Sequence, residues 1–135
     1  MKRHLLRTCL LGSLALLLGT TATAQSAPWP NKTVKFVNSF PPGGPSDILA
    51  RSVGDVLQKR FNQPFVVENK PGAAGNVGAD WVAKSAGDGL TLLWGIDTTH
   101  TINPHIYAKL PYQQNELKPL VILSSSGLLL GVHPS

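Results

Sequence analysis

Two links rich in glycine and proline divide this chain, and each joins a short apolar run to a helical pattern. The first is Phe40-Pro41-Pro42-Gly43-Gly44-Pro45-Ser46-Asp47; the second is Lys70-Pro71-Gly72-Ala73-Ala74-Gly75. Thr33–Ser39 and Phe65–Asn69, which precede them, carry the β-branched and aromatic residues of strands. After the first link, Ser46–Phe61 predicts a helix with Leu49, Val53, Val56, Leu57 and Phe61 on one face. After the second, Asn76–Ser85 predicts a helix with Val77, Trp81 and Val82 inside. Gly87-Asp88-Gly89 makes a tight turn into Leu90–Ile96, a nearly continuous apolar run that reads as a strand covered on both faces. The order β-α-β-α-β with short links predicts an α/β fold built on a mostly parallel, helix-covered sheet.

The rest of the chain is less regular. Asp97–Thr101 reads as a polar loop, Asn103–Leu110 as a short helix begun by Pro104, and Pro111–Glu116 as a turn region. Leu117–Ser124 and Leu128–Val132 read as two further strands, separated by Ser125-Ser126-Gly127. In a parallel sheet every strand-to-helix link emerges at the carboxyl ends of the strands, where open α/β sheets bind ligands. The links "FPPGGPS", "KPGAAGN" and "DTTHT" are therefore expected to gather at one edge.

Each glycine link ends at a helix start. The first-turn N–H groups of a helix lack internal partners and carry partial positive charge. Glycine lets a ligand approach the main chain without meeting a Cβ. Two such links side by side make a pincer of main-chain donors for a carboxylate or phosphate. Thr98, Thr99, Ser39 and Ser46 can add hydroxyl donors. Glycine and proline also shape ordinary turns, and from the residues alone both readings stand.

The first 24 residues form a secretory leader. Lys2, Arg3 and Arg7 give a basic start, Leu10–Leu18 an apolar core, and Ala22-Thr23-Ala24 a small-x-small cleavage pattern, with the cut after Ala24. The apolar run is shorter than the roughly 20 residues needed to span a bilayer. Cleavage leaves 111 residues without the single cysteine, Cys9, and so without thiol or disulfide chemistry. Of the 12 Lys and Arg, three lie in the leader, which leaves nine against seven Asp and Glu, a net charge of +2. No basic stripe remains, and nucleic-acid binding loses its support.

Other chemistries fit poorly. "GGPSD" lacks the Lys-Ser/Thr of a phosphate-binding P-loop, and "GAAGNVG" lacks the dinucleotide spacing, so no cofactor is expected. Asp97, His100 and one of Ser124, Ser125 or Ser126 would make a hydrolase triad only without the strained nucleophile turn such enzymes use. No catalytic residue is assigned. His100 and His105 are five apart, on different faces of a helix, and no carboxylate stands beside them at metal-site spacing.

Three stretches together resemble one family. They are "WPNKTVKFVNSFPPGGPSDILAR", "FVVENKPGAAGNVGADWVAKSAGDGLTLLWG" and "INPHIYAKLPY", and the resemblance runs from Trp29 to the C-terminus. The chain is similar to the N-terminal part of Bug-type extracytoplasmic solute receptors, the substrate-binding components of tripartite tricarboxylate transporters. The resemblance implies a periplasmic protein and a lobe like that of the type II periplasmic binding proteins, here incomplete. The ligand would be a small carboxylate, a di- or tricarboxylate or an acidic amino acid, held by main-chain N–H groups and ordered waters. The partners would be the transporter's membrane subunits. Carried onto this chain, the ligand loops comprise Gly43, Gly44, Pro45, Ser46 and Asp47, then Gly72, Ala73, Ala74, Gly75 and Asn76, with Thr98 and Thr99 on a third loop.

The expected organisation is a leader over 1–24, a partial first lobe over 25–124, and a hinge crossing with the start of a second lobe over 125–135. With half the cleft missing, the 135-residue chain is expected to bind weakly. Asn38-Ser39 departs from the family pattern, which has more apolar residues before Phe40. Two alternatives remain at this point: a receptor that presents its ligand to a sensor kinase, and a truncated gene product without function.

Overall fold

The computed structural model describes residues 28–127, together with Gly131 and His133. The expected leader, its expected cleavage point and most of the expected strand Leu128–Val132 lie outside the described residues. Among the described residues, no helix is long and apolar enough to cross a membrane.

Three strands form one parallel sheet. They are β1 (Val34–Asn38), β2 (Phe65–Asn69) and β3 (Thr91–Trp94), in the order β2-β1-β3. Val34 aligns with Phe65 on one side of β1, and Phe36 aligns with Leu92 on the other. The Val34 N–H donates to Pro64 O at 2.9 Å, whereas the Lys35 N–H donates to Leu90 O at 2.8 Å, so the central strand feeds both neighbours. Helix α1 (Pro45–Phe61) joins β1 to β2, and α2 (Asn76–Ala83) joins β2 to β3. Pro45 opens α1, where its missing N–H costs nothing. Asn62, at φ 52°, ends α1 and donates its N–H to Gln58 O.

Period-two alternation along β1 divides the interior. Val34 and Phe36 point to the α1 side, where with Phe65 they make a core that Val53, Leu57, Leu92 and Trp94 complete. The Phe36 ring stacks obliquely on Phe65 and Trp94, with centroids 5.5 and 5.2 Å away. A second core of Ala79, Tyr112 and Leu117 gathers Val82, Ala83 and Leu93, on the side that α2 covers.

Several expectations need correction. Val56 does not face the sheet and is 64% exposed, while Phe61 sits at the margin of the core, its ring 6.1 Å from Phe65 and 5.8 Å from Trp29. Asp47, Ala50 and Gly54 are the buried positions of α1. Likewise Val77 and Trp81 are exposed, while Gly78 and Ala79 are buried. The cause is the same in both helices. Small residues bring the helix axis close to the sheet, and the large side chains are left to the flanks. At Gly54 a Cβ would already stand 3.4 Å from Phe65 O.

The third apolar run gives only four strand residues, all half-buried. It lies at the end of the described sheet instead of inside it. Asp97–Thr101 is a helical turn, α3 (Thr98–Thr101), because the Asp97 carboxylate accepts the Thr98 N–H at 2.9 Å. The next helix, α4, is limited to Asn103–Ile106. Leu117–Ser124 forms no strand. Leu117 is buried in the second core, but Leu120, Val121 and Ile122 extend outward, with no strand among the described residues to pair with them.

Candidate functional site

The three links do meet at the carboxyl ends of the strands, and Gly75 is where they touch. A Cβ on Gly75 would stand 3.2 Å from Thr99 Oγ1 and 3.3 Å from Ser39 Cβ. Ser39 follows β1 and leads into the first link, Gly75 ends the second link, and Thr99 lies in α3. Ser39 is 1% exposed and Thr99 fully buried, and neither hydroxyl has a hydrogen-bond partner among the described residues. A buried hydroxyl without a partner costs about 1–3 kcal/mol, so this pair lowers stability where it stands.

The second link has an uncommon backbone. Gly72, Ala73, Ala74 and Gly75 follow one another at φ 135°, 47°, 51° and 92°. Two of these are alanines, which the left-handed region penalises by about 1–3 kcal/mol each. The Gly75 N–H closes onto Gly72 O at 2.9 Å, and the Asn76 N–H onto Ala73 O. Helix α2 then begins at Asn76 without a side-chain cap. An open groove of about 420 Å³ runs past Ala73, Asn76, Val77 and Trp81. Lys70 Nζ rests 3.9 Å above the Trp81 ring.

The first link is held from inside. Gly44 is the N-cap of α1, again without a side-chain cap bond, and Pro45 and Ser46 open the helix. The Ser46 hydroxyl donates to Asn38 Oδ1 at 2.7 Å. Asp47 accepts from the Gly43 N–H at 3.0 Å, from Arg51 Nε at 3.0 Å and from Asn69 Nδ2 at 2.9 Å. Asn69 Nδ2 also reaches Phe40 O at 3.1 Å. The Asp47 carboxylate is thus occupied by the loop itself, and it ties the first link to the end of β2, from which the second link starts. Thr98, half-buried, donates its N–H to Asp97.

Hydrogen bonds from Arg51, Gly43 and Asn69 hold the Asp47 carboxyl far below the usual carboxylate range. The folded value lies below the unfolded one. Asp47 therefore contributes stability that is present above about pH 4 and lost as pH falls below it. Urea midpoints of the wild type and Asp47→Asn should differ most near neutral pH and draw together progressively as pH falls below about 4. A gap that stays constant with pH would count against a charged role for this side chain.

Sequence reasoning missed a second polar cluster. Asn103, 1% exposed, donates from Nδ2 to Ala74 O at 2.9 Å and to Asn76 Oδ1 at 2.8 Å. The Tyr112 hydroxyl lies 3.2 Å from both Asn76 Oδ1 and Thr99 O. Burial raises the Tyr112 pKa, which keeps the hydroxyl a neutral donor. Both residues stood in stretches read as helix and turn; no local signal marks them, because their partners are about 30 residues away. Asn38 and Ser39 did carry a signal, as polar residues at the end of an apolar strand. Asp97, His100 and Ser124–Ser126 form no cluster: the Asp97 carboxylate caps α3, and the serines lie exposed in an irregular segment.

The chain is 31% identical over 124 residues to a UPF0065 protein of Bordetella pertussis, covering 92% of this chain and 38% of that protein. It is 34% identical over 118 residues to BugT of the same organism, covering 86% of this chain and 36% of BugT. The chain thus spans well under half the length of these relatives. Among solved structures, one described as a periplasmic transporter matches with a TM-score of 0.61 at 39% identity, over 64% of this chain and 29% of that one. Rpa4515 of R. palustris, solved with adipate, matches with a TM-score of 0.62 at 36% identity over the same shares. Residues 49–135 match the tripartite tricarboxylate transporter family receptor, TctC. By that match and these relatives, the chain belongs to the Bug/TctC receptor family.

Proposed function

We infer that the chain forms the carboxylate-binding edge of a periplasmic solute receptor that delivers its ligand to the membrane subunits of a tripartite tricarboxylate transporter. The observation that carries this reading is the convergence of three links on Gly75, with two buried, unpartnered hydroxyls beside an uncapped helix start. The family match and the adipate bound by a 36% identical structure support a dicarboxylate. In this reading residues 1–24 direct export and are cleaved after Ala24, 25–124 belong to a first lobe, and 125–135 begin the crossing to a second. The role is binding, not catalysis. Gly44, Pro45, Ser46, Ala73, Ala74 and Thr98 line the ligand, and Gly75, Asn76 and Thr99 are buried directly behind them. Gly43 and Asp47 shape the first link from within.

The donors of these links by themselves make a weak site. Two or three charge-assisted hydrogen bonds at about 1.5–3 kcal/mol each, less the cost of association, leave a Kd of about 1 mM or weaker. Adipate titrated into ¹⁵N-labelled protein should shift the amide resonances of Ser46 and of Ala73–Asn76 together, while neutral adipamide should not. Absence of shifts in both links would remove carboxylate binding as the role. Thr99→Val separates binding from stability. It removes an unpartnered hydroxyl, so the protein should gain about 1 kcal/mol while the adipate shifts weaken about tenfold. A gain in stability with unchanged binding would leave Thr99 out of the site.

A further inference from the structure

We propose that Asn103 is a positioning residue that holds the second link in its left-handed, donor-presenting shape. Ala73 and Ala74 stand at φ 47° and 51°, a region that non-glycine residues leave unless their surroundings over-determine it. The bonds closing the turn, Gly75 N–H to Gly72 O and Asn76 N–H to Ala73 O, belong to the turn itself. The tie from outside is the Asn103 carboxamide. Its two N–H groups hold Ala74 O at 2.9 Å and Asn76 Oδ1 at 2.8 Å, one on each side of Gly75. The clamp therefore spans the junction where the turn becomes α2.

Two features argue that this tie is more than packing. Asn103 Oδ1 is buried without a partner among the described residues. A side chain selected for stability alone would not leave that oxygen unsatisfied. The clamp is also directional, since Ala74 O and Asn76 Oδ1 are both acceptors. Aspartate has nearly the same shape but would set a carboxylate against two oxygens. Tyr112 braces the clamp from behind, on Asn76 Oδ1 and Thr99 O. The third link, through α4, thereby controls the shape of the second. Only the consequence for ligand affinity rests on the carboxylate reading; the control of backbone shape stands apart from it.

The test has a readout that general destabilisation does not move. One-bond Cα–Hα couplings distinguish positive from negative φ and need no ligand. In the wild type, Ala73 and Ala74 should both report positive φ; in Asn103→Ala and Asn103→Asp they should move toward negative values. Unchanged couplings in a folded variant overturn the proposal. Ala74→Gly supplies an independent measurement. In the wild type it relieves strain, so the urea midpoint should rise. In Asn103→Ala the turn is already relaxed, so the same change should lower the midpoint through the entropy of glycine. An equal shift in both backgrounds overturns the proposal as well. Should Asn103→Ala prove insoluble, Asn103→Ser, too short to reach Ala74 O, takes its place in both measurements.

Adipate is the probe for the functional half. Asn103→Ala should weaken the wild-type response by about tenfold or more, whereas Gly87→Ala, with nothing within 4 Å of the added Cβ, should not. A wild type that ignores adipate would sink the carboxylate reading, and the couplings would still decide the role of Asn103.

Discussion

Phe36→Ala is expected to leave the domain largely unfolded at room temperature. The ring is 3% exposed at the centre of the central strand, and it joins Phe65 on β2 to Trp94 on β3. Truncating a buried phenylalanine costs about 3–5 kcal/mol, because the lost transfer energy adds to that of an unfilled cavity. The ring neighbours cannot collapse into the space without moving strands, since they sit on β2 and β3, on either side of β1. Against a total stability of about 5–15 kcal/mol for an ordinary domain, and less for a small core, that loss is most of what exists. Urea unfolding followed by tryptophan fluorescence, with Trp94 as reporter, measures it. A loss below about 1 kcal/mol would show that stability resides elsewhere than in this core.

Gly78→Ala should destabilise as well, against the usual preference of helices. In an exposed helix interior, alanine is better than glycine by about 1 kcal/mol. Here a Cβ would stand 2.7 Å from Ser39 Oγ, 3.2 Å from Ser39 Cα and 3.3 Å from Lys70 O. The hydroxyl is already buried. The other two contacts are main-chain atoms at the ends of two strands, and neither can give way without disturbing the sheet. Overpacking of this kind costs about 1–3 kcal/mol. The steric cost wins, and a net loss of about 1–2 kcal/mol is expected by urea unfolding. Gly78→Val, with a branched Cβ, should abolish soluble folded protein. A stabilised Gly78→Ala would mean that α2 sits farther from β1 than described.

The alternation of strands and helices, and the meeting of the three links, were legible in the sequence because they depend on local periodicity and on the parallel topology it implies. The faces of both helices were legible in part. Large apolar residues gave Val53, Leu57 and Val82, which pack on the cores, but also the exposed Val56, Val77 and Trp81, and they missed Ala50, Gly54, Gly78 and Ala79, which close approach to the sheet selects. Leu117–Ser124 has the composition of a strand, but a strand exists only with a neighbour to pair with, and composition carries no information about neighbours. Asn103 and Tyr112 were invisible for a related reason: their role comes from partners distant in sequence. Asn38 and Ser39 were the opposite case. Polar residues at the end of an apolar strand were visible as a departure, and the structure gives their use. Asn38 receives the Ser46 hydroxyl, and Ser39 fits beneath Gly78.

The central place of β1 has a consequence for how the chain comes together. The first strand made is the one on which both others must wait. β2 reaches it after a single helix, but β3 arrives only after a second helix has also been laid down. The longer closure favours a β1-α1-β2 unit as the first structured piece, with α2 and β3 docking onto it. Asp47, Arg51 and Asn69 all belong to that early unit, so the first link can be shaped before the second link and Thr99 arrive. The junction at Gly75 is then among the last contacts to close, and the left-handed turn is strained only once the scaffold that holds it exists.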